Sequence, residues 1–216
     1  MFLFKIAAIT NVIAFLTGII FYKNFPKEIR TIFYFVVLGV LTQLYMKLHE
    51  AFIMKNTVMI GHFYYPIAFL ILGIFYIQVL KDFIKPIYLI SVIVLLETYC
   101  FINSFFIQSI FEYPSVEVSI VAMILFLFSI LWFTKVMVEG KIVKLSSEPV
   151  IWINSAILIY YAGSFFYHSF YNLIVISSID VAVLFAKLFT VLNLLFYSII
   201  AVGFLKVKRN NQKKVC

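Results

Sequence analysis

Apolar residues run along this chain in long unbroken stretches, and polar residues fall in short clusters between them. Seven stretches could each carry a helix across about 30 Å of hydrocarbon. They are residues 2–22, 31–49, 58–80, 87–108, 116–138, 150–171 and 179–205. The breaks are brief and polar or charged: 23–30 with Pro26, 81–86, and 139–149. Membrane β-strands would alternate apolar and polar positions, whereas residues 87–96 read IYLISVIVLL. The expected fold is therefore all-α: a polytopic bundle of seven transmembrane helices over residues 1–205, followed by a basic tail at 206–216. The last stretch is long enough to tilt, or to run past the membrane as helix.

Composition narrows the class. Hydrophobic residues make up 65% of the chain and charged residues 12%, with a mean hydropathy of +1.11. Soluble domains carry roughly 25% charged residues, and one with this composition would have to expose much of its apolar surface. Disordered chains are poor in apolar residues. A disulfide scaffold is excluded because the two cysteines, Cys100 and Cys216, are far apart in unlike settings. The first stretch reads as a retained helix, since its basic cluster follows the apolar run and no small-residue cleavage site appears.

Charge gives the expected orientation. Of 17 basic residues, 13 lie in the first, third and fifth connections and the tail: Lys23, Lys27, Arg30, Lys81, Lys85, Lys135, Lys141, Lys144, Lys206, Lys208, Arg209, Lys213 and Lys214. The opposite face holds Lys5, Lys47 and Lys55, and Lys187 lies inside the seventh stretch. The positive-inside rule puts the N-terminus outside and the C-terminus in the cytoplasm of a bacterial inner membrane. The net charge of +8 then reflects topology and attraction to anionic lipid rather than nucleic acid. Tyr22, Tyr113 and Tyr171 sit where an interfacial aromatic belt would lie.

The connections, about 6 to 11 residues each, are too short to fold a catalytic or signalling domain. No P-loop, Gly-x-Gly-x-x-Gly, His-Glu-x-x-His or Cys-x-x-Cys motif is present, and the identity of any cofactor is left open. Cys216, the last residue, is not a prenylation box. Chemistry must arise inside the bundle or at its rim, and any cytoplasmic output must pass through a partner or an ion pathway.

Ionisable groups inside a membrane mark sites by default. Glu97 lies mid-way along the fourth stretch, Lys187 inside the seventh, His62 early in the third and His168 late in the sixth. His49 and Glu50 close the second, and Asp180 opens the seventh. With the expected orientation, all but Glu97 fall toward the outer face, together with the loop acids Glu112 and Glu117. Cys100, Ser104 and Gln108 share a helix face with Glu97 and lead outward from it. This spacing predicts an outward-facing polar groove with a neutral Glu97 at its floor. Lys187 can lean outward toward Asp180, seven residues earlier, although an axial gap of about 10 Å separates them. The alternatives are a buried Glu97–Lys187 pair that fixes helix register, rim roles for His49 and Glu50, and hydrogen-bonded interfacial roles for His62 and His168. Asn11, Gln43, Gln78, Asn103, Asn154 and Asn193 read as interhelical hydrogen-bonding residues. Ser178, Ala182 and Ala186, and the trio Ala162, Gly163 and Ser164, read as close-packing seams.

Two stretches carry a family resemblance: Pro149-Val150-Ile151-Trp152-Ile153-Asn154-Ser155 continuing to Tyr160-Tyr161-Ala162-Gly163, and His62-Phe63-Tyr64-Tyr65-Pro66. They resemble an uncharacterised family of small seven-pass integral membrane proteins from Bacteroidota, and the resemblance implies topology without implying chemistry. The leading functional expectation is a sensor or accessory subunit. It would bind a ligand through Glu97, Lys187, Asp180, His62 and His168, and act through a membrane or cytoplasmic signalling partner. A small-solute or ion transporter or channel is the next reading, although no internal repeat is evident and Pro66 is the only proline well inside a stretch. A membrane-embedded metal hydrolase is a third, with His49, His62 and His168 as metal candidates. It lacks the histidine pair four apart that ceramidase-like and adiponectin-receptor-like proteins carry on their seventh span. A microbial rhodopsin is disfavoured by the spacing around Lys187.

Overall fold

The computed structural model describes residues 2–52, 57–140 and 144–213. Lys55, Lys141, Lys214 and Cys216 lie outside the described residues. The described chain is all-helical, with no strands, and seven of its helices are long and apolar enough to cross a membrane. In chain order the α-helices are α1 (Phe2–Phe21), α2 (Lys27–Phe52), α3 (Val58–Leu80), α4 (Pro86–Ile102), α5 (Ser115–Glu139), α6 (Pro149–Ser169), α7 (Tyr171–Ser177) and α8 (Ile179–Lys213), and all but the short α7 are candidate spans.

Local chemistry sets the boundaries. Pro86 and Pro149 open α4 and α6, where the missing N–H costs no helical bond. The fourth span does not stay α-helical to residue 108: it widens into a π turn over Asn103–Ile107. The sixth span ends two residues earlier than the hydropathy implies. The backbone leaves helical geometry at Phe170, and α7 follows as a separate piece. Ser178 accepts the Val181 N–H on its Oγ at 3.3 Å, so it caps the start of α8 and is exposed rather than part of a packing seam. Ala182 and Ala186 are half-buried. α8 continues unbroken to Lys213, so the described part of the basic tail is a helical extension of the last span.

Successive spans run in opposite directions, as contacts at their two ends show. At one end Lys135 of α5 donates to the Val79 carbonyl near the C-terminus of α3 at 2.7 Å, and Lys206 of α8 lies over the Trp152 ring of α6. At the other end His62 of α3, Ser104 just beyond α4 and Glu117 of α5 interlock, and His168 of α6 joins Tyr113 of the connection before α5. We call these the basic end and the histidine end.

Six spans close a ring in the order α1, α2, α3, α5, α6, α8, and α4 packs against α3 outside it. The core is aromatic toward the basic end, where Phe25 meets Phe204 at 4.9 Å and Phe35 meets Phe196 edge-on at 5.7 Å. One polar knot crosses it. Tyr76 of α3 donates to Asn154 Oδ1 of α6 at 2.8 Å, and Asn154 Nδ2 donates to the Ser129 carbonyl of α5 at 3.1 Å. Gly163 lies directly under Leu192, where a Cβ would meet the leucine side chain, so this member of the trio packs closely against α8. Only 22% to 44% of each span is buried, and the outward remainder is apolar, with Leu95 70% and Phe106 78% exposed. A surface of this kind needs lipid around it.

Candidate functional site

At the histidine end, between α2, α3, α6 and α8, the ring holds a partly open cavity of about 300 Å³. Its walls carry five tyrosines (Tyr64, Tyr65, Tyr113, Tyr160 and Tyr197) with Thr42, Gln43, Thr57 and Asn193 between them. Among the described residues, no Asp, Glu, Lys, Arg or His lines it. The wall is therefore flat aromatic surface fringed by neutral hydroxyl and amide groups. The Tyr64 hydroxyl faces Tyr197, and the Tyr160 hydroxyl faces Asn193. A second hollow of about 360 Å³ shares Gln43, Met46, Phe189 and Asn193 with the first and reaches Ala7, Lys47 and Glu50 between α1, α2 and α8.

Gly39 explains how α1, α2 and α8 come together beside the cavity. A Cβ there would sit 2.6 Å from the Tyr197 hydroxyl and 3.2 Å from Asn11 Nδ2, so the bare backbone makes room for both. Asn11 is 0% exposed, and neither of its amide atoms has a hydrogen-bond partner.

A second constellation closes the same end. Glu117 lies in the first turn of α5 and is 0% exposed. Its Oε2 accepts from Asn103 Nδ2 at 3.1 Å and from Ser104 Oγ at 3.4 Å. Ser104 also meets His62 Nδ1 at 3.0 Å, and His62 Nε2 donates to the Glu112 carbonyl at 2.9 Å. Glu117 Oε1 is buried without a hydrogen-bond partner. The π turn brings Asn103 and Ser104 to the carboxylate together, since it places both among the buried residues.

The connection between α4 and α5 is pinned by its own polar groups. Gln108 Nε2 donates to the Tyr113 carbonyl at 2.8 Å. The Tyr113 hydroxyl is hydrogen-bonded to His168 Nδ1 at 2.7 Å and to the Tyr65 hydroxyl at 3.2 Å. Burial holds the Tyr113 hydroxyl far above the usual phenol range, so it remains an O–H. Tyr113 thus belongs to both the cavity wall and the Glu117 side of the bundle, rather than to an outer belt.

The residues singled out in the sequence are distributed unevenly around this geometry. His62 and His168 are buried and joined through the same connection. Of the residues expected to lead outward from Glu97, Ser104 and the Cys100 thiol reach Glu117, whereas Gln108 bonds to the Tyr113 carbonyl. Glu97 is half-buried, with one buried oxygen lacking a partner. Lys187 and Asp180 are exposed, and Lys187 forms no ion pair with either Asp180 or Glu97. His49 lies beside the Tyr45 ring, away from the other two histidines' network. No group of three or more His, Cys, Asp or Glu side chains among the described residues is placed to hold a metal ion.

Sequence reasoning put Glu117 in a loop and did not foresee the tyrosine cavity. Pro114 immediately before α5 is the available signal for Glu117, because it places the acid within the first helical turn. No family model, curated protein or solved structure matches this chain.

Proposed function

We propose that this protein is a ligand-binding subunit of a bacterial inner membrane. In this reading it takes a small uncharged amphipathic molecule into the tyrosine cavity from the outer face and passes the bound state to a membrane or cytoplasmic partner. The observation that carries the reading is the cavity itself: uncharged, aromatic-walled and edged by hydroxyl and amide groups. Its volume falls at the small end of ligand pockets, about 300 to 1,000 Å³, which fits a ligand of one or two rings. The described wall residues carry no charge, which disfavours an ionised ligand, since none of them would offset its desolvation. The closely packed aromatics between the cavity and the basic end favour a binding site over a passage. The proposed orientation, with the N-terminus outside, makes the histidine end the receiving end.

The test uses 4-ethylphenol and indole as uncharged ring probes, with benzoate as a charged control. Titration calorimetry on the purified protein should detect the first two and not benzoate. Tyr197→Phe and Asn193→Leu should each weaken probe binding by roughly 2- to 10-fold, the loss of one hydrogen bond. Equal binding of benzoate, or no effect of either substitution, would overturn the reading.

A further inference from the structure

We propose that His62, Ser104 and Glu117 form a proton-transfer relay at the histidine end of the bundle, with Glu117 as its buried proton acceptor. Counting hydrogens leads to this. The Glu112 carbonyl can only accept, so His62 Nε2 carries a hydrogen and donates it. The other ring nitrogen, Nδ1, meets the Ser104 hydroxyl, and that hydroxyl has one hydrogen to share between His62 and Glu117.

Two arrangements satisfy every contact. In one, His62 is an imidazolium: Nδ1–H donates to Ser104 Oγ, and Ser104 O–H donates to the Glu117 carboxylate. In the other, Glu117 is a carboxylic acid: its O–H donates to Ser104 Oγ, Ser104 O–H donates to Nδ1, and His62 is neutral. Conversion breaks the Nδ1–H bond as Ser104 gains that proton, and breaks the Ser104 O–H bond as Glu117 Oε2 gains the other. The net charge is the same on both sides, so neither arrangement leaves a lone charge in a buried site. A further proton from solvent has a place as well, because Glu117 Oε1 is buried and unpartnered. Entry is short: His62 touches the backbone of Glu112, which is exposed.

The neighbouring groups on each packed element are accounted for. From α3 they are His62 and, more distantly, Tyr65; from α4 and its π turn, Glu97, Tyr99, Cys100, Asn103 and Ser104. From the connection comes Glu112, and beyond Tyr113 stands His168 of α6. No lysine or arginine faces Glu117 in this set, so His62 is the cation that can neutralise it.

The experiment is infrared difference spectroscopy on the full chain in lipid vesicles, stepped from alkaline to acidic buffer. The parent should show a carboxylic C=O band and histidine ring bands that change together. Glu117→Gln, which keeps the shape of the side chain, should lose that carboxyl band and leave those of the exposed acids. Ser104→Ala should keep both sets of bands but separate the pH at which each changes. If the spectra of the parent and Glu117→Gln are the same, Glu117 accepts no proton and the proposal fails. If Ser104→Ala leaves the two sets changing together as before, there is no relay. Should Glu117→Gln not fold, the parent and Ser104→Ala comparison decides alone. Probe binding in the tyrosine cavity is a separate readout, so this proposal and the ligand-binding one can fail independently.

Discussion

Asn11 presents the sharpest physical question in the molecule at the scale of single residues. A buried amide without hydrogen bonds costs about 1 to 3 kcal/mol, and Asn11 is fully buried with both amide atoms unpartnered. Its neighbours across Gly39 are the Tyr197 hydroxyl and the cavity. An amide buried in this way adds no stability of its own. Asn11→Val should therefore leave the thermal midpoint of the purified protein unchanged or higher. A lowered midpoint would mean that the amide is structural. Gly39→Ala tests the same neighbourhood from the other side. Its methyl would meet the Tyr197 hydroxyl at 2.6 Å, so probe affinity should fall through displacement of that hydroxyl, and calorimetry would register it. The sequence places Asn11 in a span and reads it as an interhelical hydrogen-bonding residue, because asparagine in lipid normally finds a partner. The unpartnered state follows from how three helices meet, and no spacing along one helix encodes that.

Helix existence was legible in the sequence because lipid forces every span to be apolar and to satisfy its own backbone. Partnership between helices was harder to read. Glu97 attracts attention by its mid-span position, yet the acid at the centre of the polar network is Glu117, in the first turn of α5. What moves the network there is the π turn at the end of α4, which places Asn103 and Ser104 beside it. An extra residue in a helical turn leaves no mark in a hydropathy pattern. Asn154 is the opposite case, because its role as a link between helices was legible and its partners were not. It joins α3, α5 and α6 through Tyr76 and Ser129. Asn154→Leu should strand the Tyr76 hydroxyl and cost about 1 to 2 kcal/mol in the membrane. Measuring that loss by thermal or denaturant unfolding, and again in a Tyr76→Phe background, isolates the bond. Equal losses in both backgrounds would show that the Tyr76 contact contributes nothing.

At the scale of the whole molecule, both proposals depend on which way the bundle faces. The ring places Lys23, Lys27, Arg30, Lys81, Lys85, Lys135, Lys144 and Lys206 at the ends of spans that meet at the basic end. The tyrosine cavity, His62, His168 and Glu117 lie at the other. Positive flanks are held in the cytoplasm during insertion, so the proposed orientation turns the cavity and the relay outward together. It makes two demands that can be checked on intact cells. A fluorescent protein fused after residue 216 should glow, and an alkaline phosphatase fused at the same place should be inactive. A cysteine placed at the exposed Glu112, in a Cys100→Ser, Cys216→Ser background, should react with a membrane-impermeant maleimide added outside, while one at Lys144 should not. The reverse pattern would leave the fold intact and invert the biology. The cavity would then sample the cytoplasm, and the relay would respond to internal rather than external acidification. The two labelling positions are also independent of each other, because each lies in a connection between spans. Labelling at both or at neither would therefore point to a different number of crossings between Glu112 and Lys144, and would challenge α5 as a complete span.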